Sequence, residues 1–317
     1  MDPFSAAPLF AADMSDAGDV IVGYARFSDR PFNPEPAMVS AAYGLEYLRT
    51  PPGYELGEAL GVSGDGNVVV GFGERGQGGA EVQEAFRWTR ARNYEMLGRP
   101  RPESIHSQAH AANRDGSIIV GDAFTAFGTY DAVVWTGPNQ MRLLPGLPTA
   151  FSDVVQAFGV SGSGDFIVGR ATSASGRVHP VLWGPGGVLD LGVAGQYDSG
   201  WAQDVSEDGR YAAVTVYFGS GSGREAAVWT EACGTMLLRE YLREYGIAVP
   251  SGVTLVGSEA ISADGRTIVG NARYFDSELG RLVNVGFVAT VPTPAALVPA
   301  GVAALVGMAR RSRGLRL

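Results

Sequence analysis

Three histidines, one cysteine and a scatter of acids are the side chains of this 317-residue chain that could do chemistry. His106 and His110 stand four apart, the spacing at which a helix presents two ligands to one zinc ion. Such a helix carries a carboxylate pattern such as His-Glu-x-x-His. Here the run SIHSQAHAAN leads into a turn and reads as a strand, so both are expected to be solvated strand histidines, with His179 apart from them. Cys233 stands alone, which excludes an intrachain disulfide and a cysteine metal site, and it reads as a small buried residue. Asp-Gly turns such as SGDGN and SADGR invite a calcium reading, but each offers a single carboxylate where a calcium loop needs several oxygens. They read as hairpin turns. Acids outside these turns include Asp122, Asp153, Asp198 and Asp276, and no spacing brings two of them together as a glycosidase would require. Residues 219–224 (GSGSGR) are Gly-rich but lie between two strands, so they read as a loop and not as a phosphate cradle. No catalytic, cofactor-binding or metal-binding residue is assigned.

The elements that would position these groups come from a repeat. Six segments share Ser/Asn-x-Asp/Ser-Gly, with Ala17 at the third position of the first, followed by an apolar run: residues 15–23 (SDAGDVIVG), 63–71, 113–121, 161–169, 206–214 and 262–270. Their turn glycines, Gly18, Gly66, Gly116, Gly164, Gly209 and Gly265, are 48, 50, 48, 45 and 56 apart. A second element follows at a steady offset, EAFRWT, DAVVWT, HPVLWG and EAAVWT, and places Trp88, Trp135, Trp183 and Trp229 at intervals of 47, 48 and 46. A third, short element ends in Leu-Gly or similar. Each unit therefore holds about four short strands, near the period of a propeller blade.

The runs VVV, IIV and FIV are apolar on both faces, as in strands covered on both sides. The turn Gly supplies positive φ, and the Gly that closes each run predicts a bulge or a close backbone approach. The Trp reads as packing between blades. Residues 236–245 (MLLREYLREY) break the β pattern, with apolar residues at helical spacing and Gly246 as C-cap. The stripe is expected to dock on the sheets. The fold class that follows is all-β, a β-propeller of six four-stranded blades with one short helical insert near 236–246. Residues 1–290 form the propeller domain and 291–317 a short apolar tail. Residues 8–14 are a candidate to complete the last blade.

Charge narrows the partners. Every basic residue is Arg, and four of them lie in the last eight residues, so the net charge of −9 becomes −13 over residues 1–290. That surface repels nucleic acid and anionic lipid. The tail differs: Val291, Pro292, Thr293 and Pro294 lead into an apolar stretch over 295–309, and Arg310, Arg311 and Arg313 close it. Fifteen apolar residues interrupted by Pro299 and Gly301 are short for a membrane helix, and the basic end would stay cytoplasmic.

The repeat units, read as S-x-D-G-x-x-V-V-G, x-A-F-x-W and hydrophobic-Leu-Gly, resemble the bacterial extracellular HAF-type repeat family. Residues 63–71, 84–89 and 96–98 match best, and residues 237–246, 250–255 and 259–265 resemble its Leu-rich helix and final repeat. The tail resembles a PEP-CTERM sorting signal, with Pro-Thr-Pro in place of Pro-Glu-Pro. These resemblances imply an exported protein, attached to the cell surface or matrix and handled by an exosortase-type enzyme, with transient membrane contact through the tail. The recorded start, MDPFSAAPLF, has neither a basic nor a long apolar region of the signal-peptide kind, and is expected to lie inside a longer reading frame. The expected role is structural or binding, toward polysaccharide or a surface protein and without a cofactor. A propeller glycan hydrolase or lyase is the alternative, and a passive stalk the third reading.

Overall fold

The computed structural model describes residues 9–27, 30–76, 81–149, 153–219 and 223–292. By contacts the chain divides into two compact units, residues 1–167 and 168–317.

In the first unit, β1 (Leu9–Met14), β2 (Val20–Phe27), β3 (Arg30–Ser40) and β4 (Gly44–Tyr47) form one antiparallel sheet in chain order. The second repeat gives β5 (Leu56–Val62), β6 (Val68–Arg75), β7 (Val82–Thr89) and β8 (Asn93–Met96). The third gives β9 (Ser104–Ala112), β10 (Ile119–Thr125), β11 (Tyr130–Gly137) and β12 (Gln140–Leu143), and the fourth opens with β13 (Val155–Val160). The second and third repeats are one eight-stranded sheet, joined by a parallel bridge of β7 to β9 at Gln83 and His106. Two side chains of β9 make the join: His106 Nδ1 accepts the Gln83 N–H (3.1 Å), and Ser107 Oγ accepts that of Ala85 (3.0 Å).

The second unit contains β14 (Ile167–Thr172, from its second residue on), β15 (Val178–Gly184) and β16 (Gly187–Asp190), in a sheet of order β13-β14-β15-β16. The fifth repeat is β17 (Ser199–Val205), β18 (Tyr211–Tyr217), β19 (Arg224–Thr230) and β20 (Gly234–Leu237), again a four-stranded sheet. After α1 (Leu238–Glu244) come β21 (Val253–Ile261), β22 (Thr267–Asp276) and β23 (Arg281–Thr290), a sheet of three. The expected six four-stranded blades are therefore corrected. Four sheets stand as single blades, the second and third repeats are fused, and the last blade has three strands among the described residues. The N-terminal strand, expected as a candidate for that blade, is instead the end strand of the first sheet, paired with β2.

The repeated turn explains why the motif recurs. In the second repeat the Ser63 hydroxyl donates to Asp65 (2.6 Å) and accepts the Val68 N–H (2.9 Å), while Gly66 N–H closes the turn on the Ser63 carbonyl (2.8 Å). Gly66 sits at φ +74, and a Cβ there would lie 2.8 Å from a Val20 methyl of the first repeat, so the Gly serves both turn and packing. At the end of the run, a Cβ on Gly71 would overlap the Glu58 carbonyl, beside a bulge between Ala59 and Gly61. The fifth repeat, which carries Val214 instead, keeps its bulge between Ala202 and Asp204. β6 is buried through its first six residues, as the two-sided apolar run predicts.

Each of the four repeated Trp is buried. Trp88 clusters with Val20, Val22 and Met38 of the preceding repeat, and Trp135 with Val68, Val70 and Leu97. The insert begins later than expected: Met236 and Leu237 pair with Val228 and Ala227 in the β20 ladder, and the helix follows. Its buried side chains, Leu238, Tyr241 and Leu242, dock in a core with Val253, Leu255, Ile268 and Phe287. Gly246 (φ +73) and Ile247 donate to the carbonyls of Arg243 and Leu242, both 3.0 Å, a Schellman C-cap.

Candidate functional site

Contacts that recur from repeat to repeat belong to the scaffold, so function is sought where the repeats differ. The first residue of each Trp-strand motif is held by a neighbour: Glu84 by the Tyr54 hydroxyl (2.8 Å), Asp131 by Arg101 (2.8 Å), His179 by Asp190 (3.0 Å), and Glu225 by Tyr197 (3.0 Å) and Arg239 (2.7 Å). Burial, helped by Glu84, pushes the Tyr54 hydroxyl up to about 12. His179 is thus a scaffold residue. So are the turn aspartates: Asp115 and Asp264 lie below the usual carboxylate range because Ser117 and Ser262 hydroxyls donate to them.

The first strand of each repeat is where the copies diverge. Four residues before the turn Ser or Asn stand Ala11, Ala59, Ala109, Ala157, Ala202 and Ser258, small in every copy. Three residues before it stand Ala12, Leu60, His110, Phe158, Gln203 and Glu259, and five before it Phe10, Glu58, Gln108, Gln156, Trp201 and Gly257. Strand alternation puts these two positions on one face, opposite the small residue. Side chains that vary in a scaffold that repeats are the signal that marks this face.

In the first unit this face carries a hydrogen-bonded polar network. Asp122 on β10 is buried, and its Oδ2 lies 2.8 Å from His110 Nε2 and accepts the Gln156 side-chain N–H, also at 2.8 Å. His110 meets Phe158 edge to face, 5.5 Å between centroids. Beside it the Gln108 amide donates to Gln83 (2.6 Å), and the Gln83 amide to Glu74 (2.7 Å). Burial raises Glu58 above its ordinary value, partly offset by Arg26. Gln108, His110, Phe158 and Glu58 are half-buried, so solvent and ligand can reach them. In the second unit Gln203 donates to Glu259 (3.4 Å), which also accepts from Asn271 (2.9 Å).

Against this geometry the sequence expectations divide. His106 and His110 do lie on a strand, half-buried, and each also has protein partners: His106 accepts from Gln83 and stacks on Phe124 at 6.0 Å. Cys233 is exposed, contrary to expectation, because it sits in the turn between β19 and β20, its N–H on Thr230. Of the four acids, Asp122 joins the network. Asp153 is exposed, Asp198 is held below the usual range chiefly by the Gly219 N–H, and Asp276 caps the turn at Glu278 and Leu279. Among the described residues no three His, Cys, Asp or Glu gather closely enough to hold a metal ion, and no helix is long and apolar enough to cross a membrane. Val291, read as the start of the tail, is buried in the α1 core with its N–H on Arg266 (2.9 Å), and Pro292 is half-buried. Thr293, Pro294, Arg310, Arg311 and Arg313 lie outside the described residues.

No family model and no curated protein matches the chain. Among solved structures it is similar to the β-propeller domain of the Trilobed protease from Pyrococcus furiosus. The TM-score is 0.52 at 11% identity, over 90% of this chain and 84% of that one. The fold is a β-propeller. The chain is similar as well to the acylaminoacyl peptidase of Pyrococcus horikoshii (TM-score 0.52, 13% identity), covering 91% of this chain but 45% of that one. It spans about half of TolB from Acinetobacter baumannii: 52% of that chain against 90% of this one, at 13% identity and TM-score 0.43. The two likenesses at TM-score 0.52 fix the fold and no activity.

Proposed function

We propose that this propeller is an exported, surface-attached protein of the HAF-repeat kind that binds polysaccharide through the divergent face of its first strands. The observation that carries the reading is the Glu74–Gln83–Gln108 chain beside the Asp122–His110–Gln156 cluster. The half-buried amides of Gln83 and Gln108 and the imidazole of His110, the last held by the buried Asp122, are suited to matching sugar hydroxyls as both donor and acceptor. Phe158 adds an apolar edge for a sugar C–H face. Export rests on the composition of residues 291–317, with an exosortase-type enzyme as the partner that reads them.

The test of binding is affinity electrophoresis of the purified protein through gels containing neutral or acidic polysaccharide. Retardation that weakens in Gln108→Ala supports the reading, and free migration in every gel sinks it. The test of export is cell fractionation with mass spectrometry of the C-terminus. A surface or medium species ending near 292–294 supports sorting, and a cytosolic species retaining residues 310–317 refutes it. A hydrolase or lyase is the second reading, favoured by one observation: His110 is oriented by the Asp122 carboxylate, as a general base would be.

A further inference from the structure

The fifth tryptophan, Trp201, stands outside the repeat spacing and has no counterpart among the packing tryptophans. It occupies the divergent position five residues before Ser206, in the second unit. Cross-strand register explains its company. Trp201 pairs with Thr215, and two residues on Tyr217 pairs with Arg224, so Trp201, Tyr217 and Arg224 share one face at one end of the β17-β18-β19 sheet. The Trp201 and Tyr217 rings lie 4.9 Å apart at 46°, and the Arg224 guanidinium lies 5.2 Å from the Trp201 ring centroid. Both rings are half-buried and Arg224 is exposed.

Charge singles out Arg224. Arg177 and Arg239 of the same unit are each held by a carboxylate, Asp198 (3.5 Å) and Glu225 (2.7 Å). Arg224 faces no carboxylate among the described residues, in a chain whose first 290 residues carry −13. In the last repeat the matching position is Gly257, which lies beside Thr215 and adds no side chain to cover this row. A related cluster stands in the first unit, built from different strand positions: Phe10, which matches Trp201 in the repeat, stacks on its cross-strand partner Tyr24 at 5.1 Å, with Arg26 of β2 5.5 and 5.4 Å from the two centroids.

We infer that Trp201, Tyr217 and Arg224 form a subsite for an acidic sugar, a uronic acid unit of a polysaccharide. A guanidinium stacked on an indole keeps its in-plane N–H groups free for a carboxylate in a two-point contact. The adjoining ring faces suit the C–H face of a pyranose better than they suit an acidic peptide, whose carboxylates sit on flexible stems. The long-range field of an acidic protein opposes an anion, and salt screens that field beyond about 8 Å while the direct contact persists. Binding is therefore expected to hold or tighten as salt rises to physiological strength, unlike capture by a basic surface. The inference rests on the polysaccharide reading above and assigns it a second site with a substrate class.

The experiment measures binding of the full chain to alginate, neutral dextran and poly-glutamate at low and physiological salt, for wild type, Arg224→Gln, Trp201→Ala, Trp201→Phe and Gln108→Ala. The expected result is alginate binding that persists with salt, weakened about tenfold or more by Arg224→Gln and Trp201→Ala and far less by Trp201→Phe. Arg224 is exposed, so Arg224→Gln should melt with wild type and serves as the folded control. Equal alginate binding by Arg224→Gln and wild type overturns the subsite. Dextran binding that depends on Gln108, without alginate binding, also overturns it while leaving the polysaccharide reading intact. Poly-glutamate binding equal to alginate and dependent on Arg224 overturns it in favour of an acidic peptide. Binding of no polysaccharide overturns both.

Discussion

Replacing Asp122 by Ala removes one acceptor from two donors at once, and the structure sets the size of the loss. Asp122 Oδ2 is bonded to His110 Nε2 and Gln156 Nε2, each at 2.8 Å, and both the Asp122 and Gln156 side chains are buried. A hydrogen bond to a charged acceptor contributes about 1.5–3 kcal/mol net, and an unpaired buried donor costs about 1–3 kcal/mol. The His110 side chain is 20% exposed, so water can partly replace its lost partner, whereas the Gln156 amide stays dry. Asp122→Ala is therefore expected to lose about 3–5 kcal/mol, the lost hydrogen bond and the stranded Gln156 donor taken together. Asp122→Asn, which keeps one carbonyl oxygen, is expected to lose about 1–2 kcal/mol. The assay is urea unfolding followed by tryptophan fluorescence, with the slope on denaturant checked for constancy. A loss under about 0.5 kcal/mol in Asp122→Ala would mean that the network is not formed as described.

Three further outcomes follow from the same structure. Gly116→Ala forces a residue at φ +67 and pushes a Cβ into Val68, so it should cost more than Gly44→Ala, where φ is +71 and nothing lies within 4 Å. The control should lose about 1–2 kcal/mol from backbone strain alone, and equal losses in thermal melts would refute the packing role of the turn Gly. Trp135→Ala should cost about 3–5 kcal/mol, and Trp135→Phe much less, because the buried indole N–H has no partner to lose among the described residues. The folded-state pKa of Asp115 and Asp264 is depressed, so their contribution is present above about pH 4 and is lost as pH falls through the lower folded values. Melts from pH 7 to 3 should show a shallower acid fall in the Asp115→Asn, Asp264→Asn double variant, and an unchanged slope would count against these turn bonds.

What could be read from the sequence was what is local and repeated. Ser63, Asp65, Gly66 and Gly71 act within one turn and its flanking strands, so six copies of their spacing announced turn, bulge and blade. Trp88 and Trp135 were legible for the same reason. The α1 stripe was legible too, but its start was misplaced, since ladder pairing of Met236 and Leu237 outweighs their helical spacing. The fusion of the second and third repeats was hidden, because it depends on His106 and Ser107 accepting N–H groups from a strand some twenty residues earlier. Cys233 was misjudged because residue type says little about a turn. The divergent face was visible in principle: Gln108, His110, Gln156 and Trp201 occupy fixed offsets from the turn. Their types differ between copies, so a search for shared motifs passes over them.

The measurement that tests the central claim most directly is hydrogen–deuterium exchange on the full chain with and without a polysaccharide that retards it, with the length of the recovered polysaccharide measured alongside. The account predicts slowed exchange in peptides covering 104–112 and 153–160, little change at the repeated turns, and polysaccharide of unaltered length. Unchanged exchange in those strands, or polysaccharide shortened in a His110-dependent way, would contradict it and, in the second case, establish an enzyme.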